Sequence, residues 1–207
     1  MMEMTCFQFM AELASGAPIP GGGGASAYAG ALGVALGSMV ANLTTGRKRY
    51  AEYEDDIQRI LTESDRLCKE LSELVQKDAD VFEPLVAAYK LPTGTDEEKE
   101  AKAKVMEEAL LAASLVPLEI MEKAYEGLIL HEVLVVKGSR MAISDVGVGV
   151  QMLKTSILGA VMNIMINTKS MRDRSKADEI DAKARDIVIK GTALADKIYQ
   201  AVEEALA

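Results

Sequence analysis

The sequence predicts an all-α fold, a single bundle of about six to seven helices, several of them long. Three observations carry that reading. Apolar residues recur at alternating spacings of three and four over long stretches, the period of one helix face and not of a strand. The chain has twelve Met and abundant Ala, while aromatic residues make up only 4% and Trp is absent, a composition that favours packed helices over sheets. The one β-branched run, Val133-Leu134-Val135-Val136, has no second strand to pair with. At 207 residues and 49% hydrophobic composition, the chain can bury a full core as one domain spanning 1–207.

Each element follows from local signals. Thr5-Cys6-Phe7-Gln8 reads as a capping box that opens a short helix reaching about Ser15. Residues 16–24, Gly16-Ala17-Pro18-Ile19-Pro20 and four glycines, read as a loop. A small-residue helix then runs to about Thr45. Within it Gly33 and Gly37 stand in the GxxxG spacing that lets another backbone come close, which points to a homodimer built partly on this helix. Ile57, Ile60, Ser64, Leu67, Leu71, Leu74, Asp78, Val81 and Leu85 mark one face of a long helix that Pro84 should kink or end. Thr95 to Glu98 is a second capping box, with a helix to about Ser114. Pro117 should start the next helix, which Gly138 stops after Val136. Ser144-Asp145 can cap a helix of Val146 to about Lys169, and the last helix begins near Lys176.

Charge and cysteine content narrow the function. Lys plus Arg is 23 and Asp plus Glu is 32, a net charge of −9, so general nucleic-acid binding is disfavoured. Cys6 and Cys68 have no metal-site or disulfide-framework spacing, and with a single histidine, His131, a His-ligated zinc centre is disfavoured. No metal is expected. The N-terminus lacks a basic region followed by an apolar core, so a cytoplasmic protein is expected. From Leu13 to Gly46 no residue is charged, but nine glycines and eight alanines in that span fit a buried helix better than a membrane span.

Four groups can carry chemistry. The Pro20-Gly21-Gly22-Gly23-Gly24 stretch entering a helix offers bare backbone N–H groups for an anion or oxyanion, or else is only a tight turn. Asp78 sits at a seam position among apolar neighbours and must be paired, protonated or facing a cavity. Stepping by three or four from Asp145 reaches Gly149, Met152, Ser156, Gly159, Asn163 and Asn167, so one face holds a carboxylate, small residues and two amides. Those amides serve a ligand or bond between helices, and Asp145 can equally be an N-cap. Gly46-Arg47-Lys48-Arg49-Tyr50 concentrates three cations in an acidic chain, as a helix C-terminal cap or as a dock for a carboxylate.

Taken together and in this order, these segments resemble the cyclodeaminase/cyclohydrolase family of folate enzymes over nearly the whole chain. The resemblance rests on Pro18-Ile19-Pro20-Gly21-Gly22-Gly23-Gly24-Ala25, on Gly37-Ser38-Met39-Val40 with Leu43-Thr44, and on Gly46 to Tyr50. It continues through Asp78-Ala79-Asp80-Val81-Phe82, Lys90-Leu91-Pro92, Val116-Pro117-Leu118, Ser144-Asp145-Val146-Gly147-Val148 and Asn163 to Asn167. The family usually has Gly-Asn shortly before Ser-Asp, where this chain has Gly138-Ser139-Arg140. The length and the four-glycine run are more similar to the stand-alone cyclohydrolase branch.

The resemblance implies an all-α homodimer with tetrahydrofolate derivatives as substrate, no further cofactor, no nucleic acid and no membrane. The implied reaction is reversible hydrolysis of 5,10-methenyltetrahydrofolate to 10-formyltetrahydrofolate, in which a carboxylate with a raised pKa acts as both base and acid. Asp145 is the first choice for that role and Asp78 the second. The glycine loop would hold the developing alkoxide or order the pterin, with Ser144, Asn163 and Asn167 alongside. Arg47, Lys48 and Arg49, next to Tyr50, would meet the glutamate tail. Formiminotetrahydrofolate cyclodeamination is the alternative, and a non-catalytic folate-binding or scaffolding dimer the second alternative.

Overall fold

A computed structural model describes residues 1–207. It contains six α-helices: α1 (Cys6–Leu13), α2 (Gly22–Thr44), α3 (Glu54–Tyr89), α4 (Asp96–Lys137), α5 (Ile143–Thr168) and α6 (Arg174–Leu206). Two 3-10 segments, Lys48–Tyr53 and Arg140–Ala142, precede α3 and α5. Both capping boxes form as their sequences predict, Thr5 with Gln8 and Thr95 with Glu98. Val133 to Val136 is helical, because it continues the apolar face of α4.

The long elements run through their prolines. Pro84 lies inside α3 on its exposed side, where the carbonyl it leaves free meets water, so the helix continues to Tyr89. The two helices expected on either side of Pro117 are one, the 42-residue α4, and Pro117 is buried within it. A proline there removes the N–H that would bond the Ala113 carbonyl four residues back. Asn167 Nδ2 of α5 donates to that carbonyl at 2.9 Å and replaces the lost bond. The tertiary contact thus removes the penalty that makes an internal proline a helix breaker.

α2 begins at Gly22, earlier than the loop assignment, and packs antiparallel to α5: a Cβ on Gly22 would sit 3.6 Å from Asn163, and one on Gly33 2.8 Å from the Gly149 carbonyl. The GxxxG pair therefore faces inward and not toward a second subunit. A Cβ on Gly37 would lie 2.7 Å from the buried His131 ring of α4. The helices approach this closely because both sides of the crossing lack side chains. Outward, α2 presents Leu32, Ala35, Met39 and Leu43. One apolar cluster of 34 buried residues joins α1 to α6, and a second of six lies where α3 and α4 meet the start of α6. By length and composition α2 and the Arg140–Thr168 segment are apolar enough to cross a membrane, with 56% and 44% of their apolar windows buried inside the subunit.

Candidate functional site

Asp78 and the glycine turn meet at one end of the α2–α5 pair. Gly21 caps α2 without any side-chain bond, so the first-turn N–H groups of Gly22, Gly23 and Gly24 have no intrahelical partner. Their positive helix end faces the Asp78 side chain of α3. A Cβ on Gly23 would lie 2.5 Å from Asp78 Cγ, so a side chain there and the carboxyl exclude each other. This is where the glycine run is required: not for an unusual φ, but to let a carboxylate lie on a helix start.

A cavity of about 120 Å³ opens at this point, lined by Pro18, Ile19, Gly21, Gly22, Gly23, Asp78, Phe82, Ala113, Asn163, Ile166 and Asn167. Pro20 is buried behind it, against the first turn of α2. Burial pushes the Asp78 carboxyl above the usual carboxylate range, and the Gly24 N–H offsets part of that rise. No Arg or Lys pairs with it, which sets aside the structural ion pair as an explanation for its seam position. Asp80, one face round, accepts from Gln76 at 2.8 Å and is exposed.

The two amides divide their roles. Asn163 Nδ2 donates to the Gly159 carbonyl at 3.2 Å, and the residue lines the cavity. Asn167 is committed through Nδ2 to the Ala113 carbonyl, so of its polar atoms only Oδ1 is left for a ligand. Pro117, on a helix that carries none of the expected site residues, is the origin of that commitment. An internal proline that strands a carbonyl, opposite an unpaired amide on another helix, is a pairing the sequence carries and residue-by-residue reasoning missed. Phe82 and Ile166, the apolar walls, were missed as well, because nothing in their spacing separates them from core.

Ser144 and Asp145 are elsewhere. They lie in the first turn of α5, which Ala142 caps without a side-chain bond, so neither acts as the cap. Eighteen residues separate Asp145 from Asn163 on a continuous helix, about 27 Å at 1.5 Å per residue. Asp145 does not reach the cavity of its own subunit. Near its end of α5 is the basic segment: Arg47, Lys48 and Arg49 are exposed in the 3-10 turn that follows α2, with no acidic partner. The turn is fixed by Gly46, at φ 70°, whose N–H donates to Glu54 at 2.9 Å. The Tyr50 hydroxyl accepts the Arg140 backbone N–H at 3.0 Å, and that bond with the nearby Arg49 and Arg140 charges lowers its pKa.

Comparison with known proteins gives a consistent set of relatives. The family model described as formiminotransferase-cyclodeaminase matches residues 5–186. A methenyltetrahydrofolate cyclohydrolase of Methylorubrum extorquens is 40% identical over 195 residues, 94% of each chain. A formimidoyltransferase-cyclodeaminase of Mus musculus is 33% identical over 165 residues, 80% of this chain but only 30% of that longer protein. The crystal structure of a formiminotetrahydrofolate cyclodeaminase from Thermotoga maritima superposes with a TM-score of 0.83 at 25% identity, covering 99% of this chain and 96% of that one.

Proposed function

The chain belongs to the formiminotransferase-cyclodeaminase family, and from that premise we propose that it is a methenyltetrahydrofolate cyclohydrolase, a single helical domain acting as a cytoplasmic homodimer. The observation that carries the chemistry is the half-buried Asp78 carboxyl, unpaired and with a raised pKa, beside the bare N-terminus of α2. The full-length relative from Methylorubrum extorquens carries the choice of reaction.

The substrate's reacting carbon is an amidinium cation between N5 and N10. Water adds to it, and as the new C–O bond forms the Asp78 carboxylate takes the proton the water loses. The adduct is a tetrahedral carbinolamine. Its C–N5 bond then breaks, Asp78 returns a proton to N5, and the hydroxyl loses its proton to solvent as the carbonyl of the 10-formyl group forms. The sum consumes one water and one cation and yields 10-formyltetrahydrofolate and one proton. A carboxyl whose pKa is raised suits both halves: its carboxylate is a stronger base toward the attacking water than an exposed one, and its protonated form is closer in pKa to the operating pH and so is populated when N5 needs a proton. The first-turn N–H groups of α2 supply donors for the oxygen as negative charge develops on it. The reaction we propose draws on these protein groups alone, without metal.

Cyclodeamination of 5-formiminotetrahydrofolate is the second reading, favoured by the Thermotoga maritima structural relative and by the mammalian one. One spectroscopic assay separates the two. Methenyltetrahydrofolate has a near-ultraviolet band that 10-formyltetrahydrofolate lacks. A cyclohydrolase bleaches the band from the first substrate, whereas a cyclodeaminase generates it from the formimino substrate with release of ammonia.

A further inference from the structure

We propose that Pro117 is a positioning residue for the folate site: it deprives the Ala113 carbonyl of its helix partner, and that carbonyl holds Asn167 in one amide orientation, with Oδ1 kept as the acceptor for an N–H of the pterin ring. The proposal deepens the cyclohydrolase reading and rests on it for the identity of the ligand.

Chemistry decides the orientation. A carbonyl oxygen only accepts, so the half of the amide that meets Ala113, at 2.9 Å, is the NH2 half. The other half, Oδ1, only accepts, and no protein donor bonds to it. Asn167 and Ala113 both line the cavity that holds Asp78 and the glycine turn. They are 8% and 4% exposed, so water competes little for the bond between them. The backbone that carries Asn167 is fixed separately. Thr168 donates through Oγ1 to Asp181 of α6 at 2.8 Å, and the Thr168 carbonyl accepts from Arg174 at 2.6 Å. The last turn of α5 is thus tied to α6, and the rotation of the Asn167 amide is what the Ala113 carbonyl settles from α4.

Any residue but proline at 117 would set an N–H four residues on from Ala113 and close the helix bond itself. Asn167 would no longer be that carbonyl's only donor, and its amide would be free to turn over and present NH2 in place of Oδ1. Helix stability alone is better served without the proline, the least favourable residue in a helix interior. What the proline adds is a fixed acceptor, in a cavity whose proposed ligand carries donors. The pterin of a tetrahydrofolate offers N–H at N3, at N8 and at its 2-amino group. An Asn167 amide turned the other way would set N–H against N–H.

A double-mutant cycle tests the proposal, with Pro117→Ala, Asn167→Ala and the two combined. Each is read by thermal midpoint and by steady-state kinetics on 5,10-methenyltetrahydrofolate. Pro117→Val, which also has the N–H and fills more of the ring's space, replaces Pro117→Ala throughout if the latter folds poorly. The midpoint loss from Asn167→Ala should be large beside the proline and nearly absent in the Pro117→Ala background, where the backbone N–H serves Ala113. KM should not follow. Asn167→Ala should raise KM about three- to tenfold, the loss of one hydrogen bond to substrate, and lower kcat less. Pro117→Ala should raise KM in the same sense with Asn167 still present, and the double variant should recover midpoint without recovering KM. A KM that returns to wild type together with stability would mark the pair as a helix repair only and overturn the proposal. So would a wild-type KM in Pro117→Ala or in Asn167→Ala. A wild-type chain that bleaches no methenyl band defeats the cyclohydrolase reading instead, and the same KM comparison then decides on 5-formiminotetrahydrofolate, which carries the same pterin.

Discussion

The two ends of the α2–α5 pair differ in how they hold their carboxylates: only one of the two lies in a cavity against a bare helix start. At the Asp78 end the carboxyl is half-buried, has no cationic partner, faces unbonded helix N–H groups and has its pKa raised by burial. At the other end Asp145 is also half-buried, but it lines no cavity with the glycine turn, and that end carries the exposed cations Arg47, Lys48, Arg49 and Arg140. Burial without a partner is costly, and a fold retains it where it is used. Exposed charge is inexpensive and weak, suited to attracting an anion and not to moving a proton.

Asp78→Asn is the strongest way to break this comparison. It should lower kcat for the methenyl substrate by about 10²- to 10⁴-fold, the usual loss of a general acid–base group. The same variant should raise the thermal midpoint at pH 7. A carboxyl whose folded pKa is raised stabilises the protein at low pH and loses that contribution as pH climbs through the folded pKa, so at neutral pH the ionised group is a burden that Asn removes. The gain should shrink as pH falls. A destabilised Asp78→Asn protein at pH 7 would place the residue in the architecture and not in the site.

Between the two ends, His131 of α4 is buried beneath the glycine crossing. Its Nδ1 lies 2.9 Å from the Gly127 carbonyl, and burial lowers its pKa from 6.5 to about 4 against the opposing pull of the Gly127 and Gly33 carbonyls. The unfolded chain therefore takes up a proton near pH 6.5 that the folded chain refuses. Stability should fall as pH drops from 6.5 toward 4, by on the order of 3 kcal/mol, and urea titrations of His131→Gln should lack that component.

The amides sharpen the contrast within the cavity end itself. Asn167→Ala strands the Ala113 carbonyl opposite Pro117 and should cost about 1–3 kcal/mol of stability. Asn163→Ala forfeits only a local 3.2 Å bond within its own helix and should act mainly on KM. Equal thermal shifts in the two variants would contradict that division. The smallest effect belongs to the exposed end: Arg47→Ala with Lys48→Ala should raise KM for a polyglutamylated folate more than for the monoglutamate. At ~0.2–1 kcal/mol per exposed pair, the difference should fade with added salt.

Helix periods, both capping boxes and the Gly138 stop were legible because they depend on neighbours within a few residues. Pro84 and Pro117 misled for the converse reason. Whether an internal proline breaks a helix depends on who meets the freed carbonyl, water beside Pro84 and Asn167 opposite Pro117, and neither is a local property. The Gly33–Gly37 spacing correctly signalled a close backbone approach but not with whom, since Gly149 answers it from within the same subunit. For the site, residue chemistry selected Asp78, the glycine run and Asn163. What spacing along one chain left open is which carboxylate shares a cavity with them, because Asp145 lies on the same helical face as Asn163 and five turns away.

The central claim is that Asp78, set on the start of α2, is the proton-transfer group of a cyclohydrolase. Its most direct test follows the near-ultraviolet band of 5,10-methenyltetrahydrofolate with the wild-type protein and Asp78→Asn side by side at equal concentration. The account predicts enzyme-dependent bleaching by the wild type and, from a folded and more stable variant, bleaching near the uncatalysed rate. Bleaching by Asp78→Asn within a factor of about three of wild type would contradict it.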